Sequence, residues 1–459
     1  MIRKGVDTTL AVSPKKWQAA GWIVMANMSV WAFDRYLFDE PWARIDLKSV
    51  KKNFSSGFVW DNDGFSTNLF AHPYHGGLYY NAARSNGMNF WQSTPFAAGG
   101  SLMWEFFFEN EAPSVNDFFA TTFGGICLGE VAFRISDLII DDRTTGLNRL
   151  TRESFVTLIS PIRGLNRLIN GDSWKHRSVR GNVIPDVPVS FYSTFGYRIM
   201  AENMKQHEDV SNIGCLNLGL NYGDPYNLEN SKPFDFFIIM TEFNLFSAQP
   251  IISRVSALGP WYSTNIALKK PHHQLTLGLF QHFNFYESST AIEKESLNPY
   301  KVSEAASLGP GLLYRFRRKD QLTFSASSYL SAILLGGSQT DHYMNDKRDY
   351  NLGSGFSFKI NIDLLFNHHT KIFANTEYYR VYTWIGNNPD RVDNKYASVQ
   401  GDIGTANLNV ANLGFSYIVG KHLLLGAQAG YYYRYTDYKY YPDITHNVTE
   451  NKLYIGYIF

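Results

Sequence analysis

The chain has 459 residues, with 42 Lys and Arg against 41 Asp and Glu, for a formal charge of +1. That balance excludes a nucleic-acid binder working through a basic face. A mean hydropathy of −0.24 excludes a bundle of apolar membrane helices of ~20 residues each, and two cysteines, Cys127 and Cys215, exclude a disulfide-rich scaffold.

The first apolar stretch is Trp17 to Phe33, preceded by Pro14, Lys15 and Lys16 and followed by no small-residue cleavage site. Met1 is therefore read as the start of a chain whose export signal has been removed. The stretch is short for a span and contains Gln18, Asn27 and Ser29. It is expected to lie against the membrane interface or to pack on a helical module. Further helices are expected over residues 76–87, 90–110, 114–142, 147–159 and 162–169. Pro113 ends one element, and Ser114 with Asp117 matches a capping box for the next. Gly99, Gly100, Gly125 and Gly129 fall inside apolar helices, where glycine is costly unless two backbones approach closely. A Gly-lined helix contact is the expectation, with Cys127 a small core residue.

At 100° per residue, Glu130, Arg134, Asp137 and Asp141 share one stripe of the 114–142 helix. The spacing allows a Glu130–Arg134 pair and an Arg134–Asp137 pair. One reading is a ladder of ion pairs joining helices; the other is a ligand site, because charges under apolar cover are expensive. Upstream, His72 and His75 flank Pro73 in an expected turn before a helix, near Arg84 and Glu105. This set could supply a general acid and base, or bind a divalent ion. Asp61, Asp63 and Gly64 resemble a calcium loop, but the twelfth position is His72 where a bidentate Glu is needed. No metal or cofactor site is therefore expected. The candidates are His72, His75, Glu105 and Glu130 for catalysis, and Arg84, Arg134, Asp137 and Asp141 for binding.

Beyond Pro185 the pattern changes to strict alternation. Phe356, Phe358, Ile360, Ile362 and Leu364 share one face; Ser357, Lys359, Asn361 and Asp363 share the other. From Leu423 to Asp437 the alternation is continuous, longer than the ~5–6 residues of ordinary strands. Twelve such runs are expected, beginning near residues 189, 215, 234, 253, 275, 305, 322, 355, 371, 406, 423 and 449. Their connections alternate from the fourth run onward. Short ones cover 269–274, 318–321, 367–370 and 420–422; long ones cover 287–304, 336–354, 385–405 and 438–448. Short turns on one rim and long loops on the other are expected of an outer-membrane barrel. An even count lets the sheet close and leaves no edge in lipid. His282, Asn284, Lys359, Asp363, Glu377, Gln428 and Arg434 then line the lumen. They contain no Ser/His/Asn site, nucleophile elbow or phosphate loop.

Three resemblances follow. The final run, Leu453, Ile455, Tyr457 and Phe459 on one face, resembles the C-terminal signature of outer-membrane barrels. The run from Leu69 through His72, Pro73, Tyr74, His75, Ala82, Ala83 and Arg84 to Trp104, Glu105 and the 114–142 helix resembles an uncharacterised family. That family is a domain of unknown function in barrel-bearing proteins of Gram-negative envelopes, and the resemblance covers residues 59–172. It implies an envelope context and no activity. Gly100, Glu105, Ser114, Asp117, Gly124 and Gly125 are also similar to VanZ-type membrane families, with Thr121, Thr122 and Phe123 where those families carry an Asn.

The expected architecture is thus an up-and-down membrane barrel of about twelve antiparallel strands over residues 185–459. A helical module over 1–184 precedes it, at the periplasmic rim, with at most a short segment entering the lumen. The expected role is an accessory or structural subunit of an envelope assembly or transport complex in a Gram-negative outer membrane. The expected partners are outer-membrane lipid and other envelope proteins, not nucleic acid. The alternatives are a lipid- or glycan-modifying enzyme using the His/Glu set, and an ion-conducting pore.

Overall fold

The computed structural model describes residues 13–60, 63–184, 187–202, 210–228, 231–246, 249–287, 301–318, 321–342, 349–386, 388–389 and 401–459. Asp61 of the calcium-loop comparison lies outside the described residues. The chain forms two compact units, residues 1–61 with 70–187 and residues 62–69 with 188–459.

The first unit is helical: α1 (Lys16–Tyr36), α2 (Leu47–Ser56), α3 (His72–Arg84), α4 (Phe90–Phe107), α5 (Val115–Phe119), α6 (Gly125–Ile139), α7 (Gly146–Ile159) and α8 (Pro161–Ile169). Side-chain caps start several of them. Asp46 and Ser49 form a full capping box at α2, as do Asn89 and Gln92 at α4. At α5, Ser114 Oγ accepts from the Asp117 N–H at 3.2 Å. The reciprocal arm comes from outside the expected box, because the Glu105 carboxylate accepts the Ser114 N–H at 2.6 Å. A π-helical turn, Ala120–Gly124, links α5 to α6, and another, Thr67–Ala71, leads into α3. His72 and Pro73 therefore open α3 rather than a turn. Proline is tolerated there because first-turn N–H groups have no helical partner.

Glycines set the packing of α3 against its neighbours. A Cβ on Gly125 would sit 2.4 Å from the Gly76 carbonyl carbon, and one on Gly100 would sit 2.4 Å from Tyr79 Cγ. Gly129 lies likewise against Tyr80. Gly99 is different: nothing lies within 4 Å of its Cβ position, so it takes no part in the contact.

The second unit is a closed antiparallel barrel of twelve strands. They are β1 (Val189–Glu202), β2 (Val210–Tyr222), β3 (Phe237–Leu245), β4 (Ile252–Ile266), β5 (His273–Tyr286), β6 (Val302–Arg318), β7 (Leu322–Gln339), β8 (Tyr350–Phe366), β9 (Thr370–Thr383), β10 (Gly404–Val419), β11 (Leu423–Tyr438) and β12 (Ile444–Ile458). Each strand pairs with its sequence neighbour, and β1 closes on β12 with Tyr192 opposite Ile458. The apolar face points outward and stays exposed, as at Phe415, Tyr417, Leu453, Ile455 and Tyr457.

One connection differs from the sequence expectation, and two further details lie outside it. The β11–β12 connection is only residues 439–443, because β12 begins through Thr445, His446 and Asn447, where polar residues hide the alternation. The β2–β3 connection, on the rim of short turns, is long instead. Its Tyr226 and Leu228 pack with Phe280, Leu313 and Tyr329, and Arg315 lies 4.1 Å over the Tyr226 ring. Finally, the segment from Asp63 to Leu69 does not enter the lumen. Its Phe65 ring lies 5.3 Å from those of Phe285 and Tyr350, and Asn68 Nδ2 donates to Tyr350 Oη at 2.8 Å. Phe285 stands between the lumen-lining Asn284 and Tyr286, so the segment covers the outer face of the wall.

Candidate functional site

Along α3, alternate turns carry two separate polar groups. The first is at its start. His72 Nε2 lies 3.4 Å from Asp117 Oδ1, and His72 Nδ1 lies 3.4 Å from Thr121 Oγ1. One turn on, His75 Nε2 lies 3.0 Å from the Tyr79 hydroxyl, which donates to Asn27 of α1. The His75 ring also meets the Trp104 edge at 5.0 Å. Loss of hydration in this apolar setting, with a smaller push from His72, lowers the His75 pKa to about 3. The ring is therefore neutral at pH 7. Burial, with Glu105 and Glu109 nearby, holds the Tyr79 phenol well above its ordinary range.

The second group lies toward the other end of α3. The Glu130 carboxylate is fully buried. It accepts from Arg84 Nε at 2.7 Å and Arg84 Nη2 at 3.0 Å, from Arg134 Nε at 2.8 Å, and from Tyr80 Oη at 3.0 Å. Burial alone would raise its pKa, but the two guanidiniums outweigh it and hold the carboxyl below the usual range. His72 and Arg84 are twelve residues apart on one helix, a rise of roughly 18 Å. The four catalytic candidates therefore divide: His72, His75 and Glu105 with its α5 cap on one side, Glu130 with Arg84 and Arg134 on the other. Among the described residues, no set of three or more His, Cys, Asp or Glu could hold a metal ion.

The remaining binding candidates have other uses. Asp137 pairs with Arg163 of α8 and accepts the Val183 and Ile184 N–H groups at 3.0 and 2.8 Å, which anchors the chain just before the barrel. Asp141 pairs with Arg143 at 2.7 Å, which lowers its pKa to about 2. The strongest acidic centre was missed by sequence reasoning. Asp142, fully buried, meets Arg149 at 2.9 Å, Arg167 at 2.7 Å and Arg177 at 3.2 Å. The available signal was the run of arginines from 149 to 180, which needs buried acids to balance it.

The barrel holds a second candidate, a cavity of about 560 Å³. His282, Asn284, Lys359, Asp363, Glu377 and Gln428 line it as expected. Arg434 lies elsewhere and pairs with Asp341 at 2.6 Å. Sequence reasoning missed Arg198, Glu242, Glu450 and Lys452, which the wall also presents. Arg198 and Lys452 both bind Glu242, at 2.6 and 2.5 Å; Arg254 binds Glu377 at 3.0 Å; and Lys359 binds the buried Glu304. The signal for these was a charge recurring on the polar face of an alternating run.

The cavity reaches Ser190, Ile418, Leu424 and Ile458, at strand ends beside the short turns. Toward the long connections it meets an apolar layer instead. Met200, Ile213, Val302, Ile333, Tyr379 and Tyr432 belong to a buried cluster drawn from nine strands. Beyond this layer Asp402 is fully buried, bonded to Thr340 and accepting the His342 N–H at 2.8 Å.

A domain of unknown function, DUF3943, is found at residues 57–162. The DUF3943 match spans all eight candidates. No curated protein matches the chain. Among solved structures the barrel is similar to a KdgM porin (11% identity, TM-score 0.24, covering 57% of this chain and 98% of that one). It is also similar to OmpT, an outer membrane protein of Vibrio cholerae (10%, 0.26, 60% and 99%), and to a NanC porin (10%, 0.28, 57% and 98%). At such scores the fold rests on the strand order and closure seen in this chain.

Proposed function

We propose that the chain is an integral outer-membrane barrel protein whose lumen is closed rather than conducting. It would serve as an accessory or structural subunit of a Gram-negative envelope assembly, with the DUF3943 domain as the part that meets other envelope proteins. The observation that carries this reading is the apolar layer. A conducting lumen needs continuous water, whereas Val302, Val381 and Val448 within this cluster are 3% exposed or less. Exposed apolar residues on the outer wall and a closed sheet without edges support the membrane location. Planar-bilayer recording is the test. The expected result is no stepwise conductance for the full chain, and conductance once Tyr379→Ala and Tyr432→Ala thin the layer. Steps of porin size from the unaltered protein would end this reading.

The enzyme reading keeps one supporting observation, His75 within hydrogen-bond distance of the Tyr79 hydroxyl, with His72 and Asp117 one turn away. It predicts that His75→Gln abolishes turnover of an envelope lipid or glycan without altering the fold.

A further inference from the structure

The polar lining of the cavity is ordered in a way that barrel architecture alone does not require. Ser327, Asn361, Asn375 and Asn412 stand on β7, β8, β9 and β10, and each is the register partner of the next. Asn361 Nδ2 donates to Ser327 Oγ at 3.1 Å, and Asn412 Nδ2 donates to Asn375 Oδ1 at 2.8 Å. Gln428 of β11 extends the row by donating to Asn412 Oδ1 at 3.1 Å. A belt of neutral amides and a hydroxyl, level across four strands and stepped by two residues at Gln428, thus crosses five adjacent strands and faces the cavity.

The charged groups around it point the same way. The wall's cations are already paired: Arg198 and Lys452 with Glu242, Arg254 with Glu377, Lys359 with Glu304, and Lys371 with Asp363. A charged ligand would have to break one of these pairs or sit opposite a satisfied one. Amides are suited to different chemistry, because each both donates and accepts, as a sugar hydroxyl does. Tyr192, Tyr454 and Phe373 also line the cavity and offer ring faces for the apolar side of a pyranose. The volume, about 560 Å³, lies within the range of small-molecule sites.

We propose that this chamber binds a neutral, hydroxyl-rich ligand, a short oligosaccharide entering from the rim of short turns, with Asn361, Asn375, Asn412 and Gln428 as its polar contacts. The proposal is independent of the closed-lumen reading: conductance tests the apolar layer, and binding tests the belt.

The test is calorimetric titration of the full chain in detergent micelles with three probes: chitotetraose, maltotetraose, and the acidic tetragalacturonate. Binding of at least one neutral probe at micromolar to millimolar concentration is expected, with the acidic one at least tenfold weaker. Asn412→Leu and Asn375→Leu, which remove the belt's centre, are expected to weaken neutral binding at least tenfold. Ser256→Trp, which fills the chamber from another strand, should abolish it. Heat-modifiable migration on a gel confirms that each variant is a folded barrel. No binding of any neutral probe at 10-mM scale, preference for the acidic probe, or full binding by the folded Ser256→Trp variant would each overturn the proposal.

Discussion

Both units bury charge, and they do so to different ends. In the helical unit, the Glu130 carboxylate is enclosed by Arg84, Arg134 and Tyr80, and helices close around it on glycines such as Gly76 and Gly125. In the barrel, Glu242, Glu377 and their basic partners stand around a cavity that strand closure leaves open. A helix can move until its neighbour fills the gap, whereas a barrel's radius is set by its strand number. Ion pairs therefore act as packing in the first unit and as lining in the second.

The sharpest way to break that contrast is to remove one acid. Glu130→Gln strands two buried guanidiniums, a loss of about 3–5 kcal/mol. The helical unit should then become protease-sensitive at temperatures where the barrel keeps its heat-modifiable migration. Acid should act in the same direction. Because the folded pKa of Glu130 lies below its ordinary value, its stabilisation is present at neutral pH and is lost as pH falls below the ordinary carboxyl range. A helical unit unaffected by Glu130→Gln would make these pairs ornamental.

The next effect tests close packing directly. Gly125→Ala forces a methyl to 2.4 Å from the Gly76 backbone, and overpacking of this kind costs about 1–3 kcal/mol. Gly99→Ala, with nothing within 4 Å, should be neutral or stabilise by up to about 1 kcal/mol. Thermal melts of the two variants should therefore shift in opposite directions or differ clearly in size.

The two regions also differ in how much of them could be read from the sequence. The barrel was legible nearly strand by strand, because an exposed apolar outer face and a polar inner face impose a period of two on every strand. Its count and antiparallel order follow from Phe356 to Leu364 and similar runs. The apolar layer was not legible: Met200, Val302 and Tyr379 come from distant strands, and only closure brings them to one level. In the helical unit, the Glu130–Arg134 pair followed from helical spacing. The expected Arg134–Asp137 pair had a competitor, since Arg163 reaches Asp137 from α8, a contact no local spacing reveals. The amide belt shows the same limit, because Asn361, Asn375 and Asn412 each look like ordinary polar-face residues until the register aligns them.

A smaller effect should come from His75. Its folded pKa of about 3 lies below the ordinary 6.5, so the unfolded chain takes up the proton first as pH falls. Stability is therefore full above about pH 6.5 and declines as pH falls toward 3. The ring retains some exposure, and solvent there reduces the size of the effect. Melts of the unaltered protein and His75→Gln from pH 7.5 to 5, above the range where the contribution of Glu130 changes, should separate the two groups. The variant's curve should be flatter, and parallel curves would show that His75 takes its proton folded as readily as unfolded.

The smallest effect should be at the cavity's mouth. Lys371 and Asp363 pair at 3.0 Å, but their side chains are 40% and 42% exposed. Water already solvates both, and a pair of this kind contributes about 0–1 kcal/mol. Lys371→Ala should therefore leave the unfolding temperature of the barrel nearly unchanged. Lys359→Met, which strands the fully buried Glu304, should lower it by several degrees. If the two substitutions proved equally mild, Glu304 would have to be reached by water despite its burial. The lumen's inner ion pairs would then belong to the solvated chamber, not to the packed wall beneath the apolar layer.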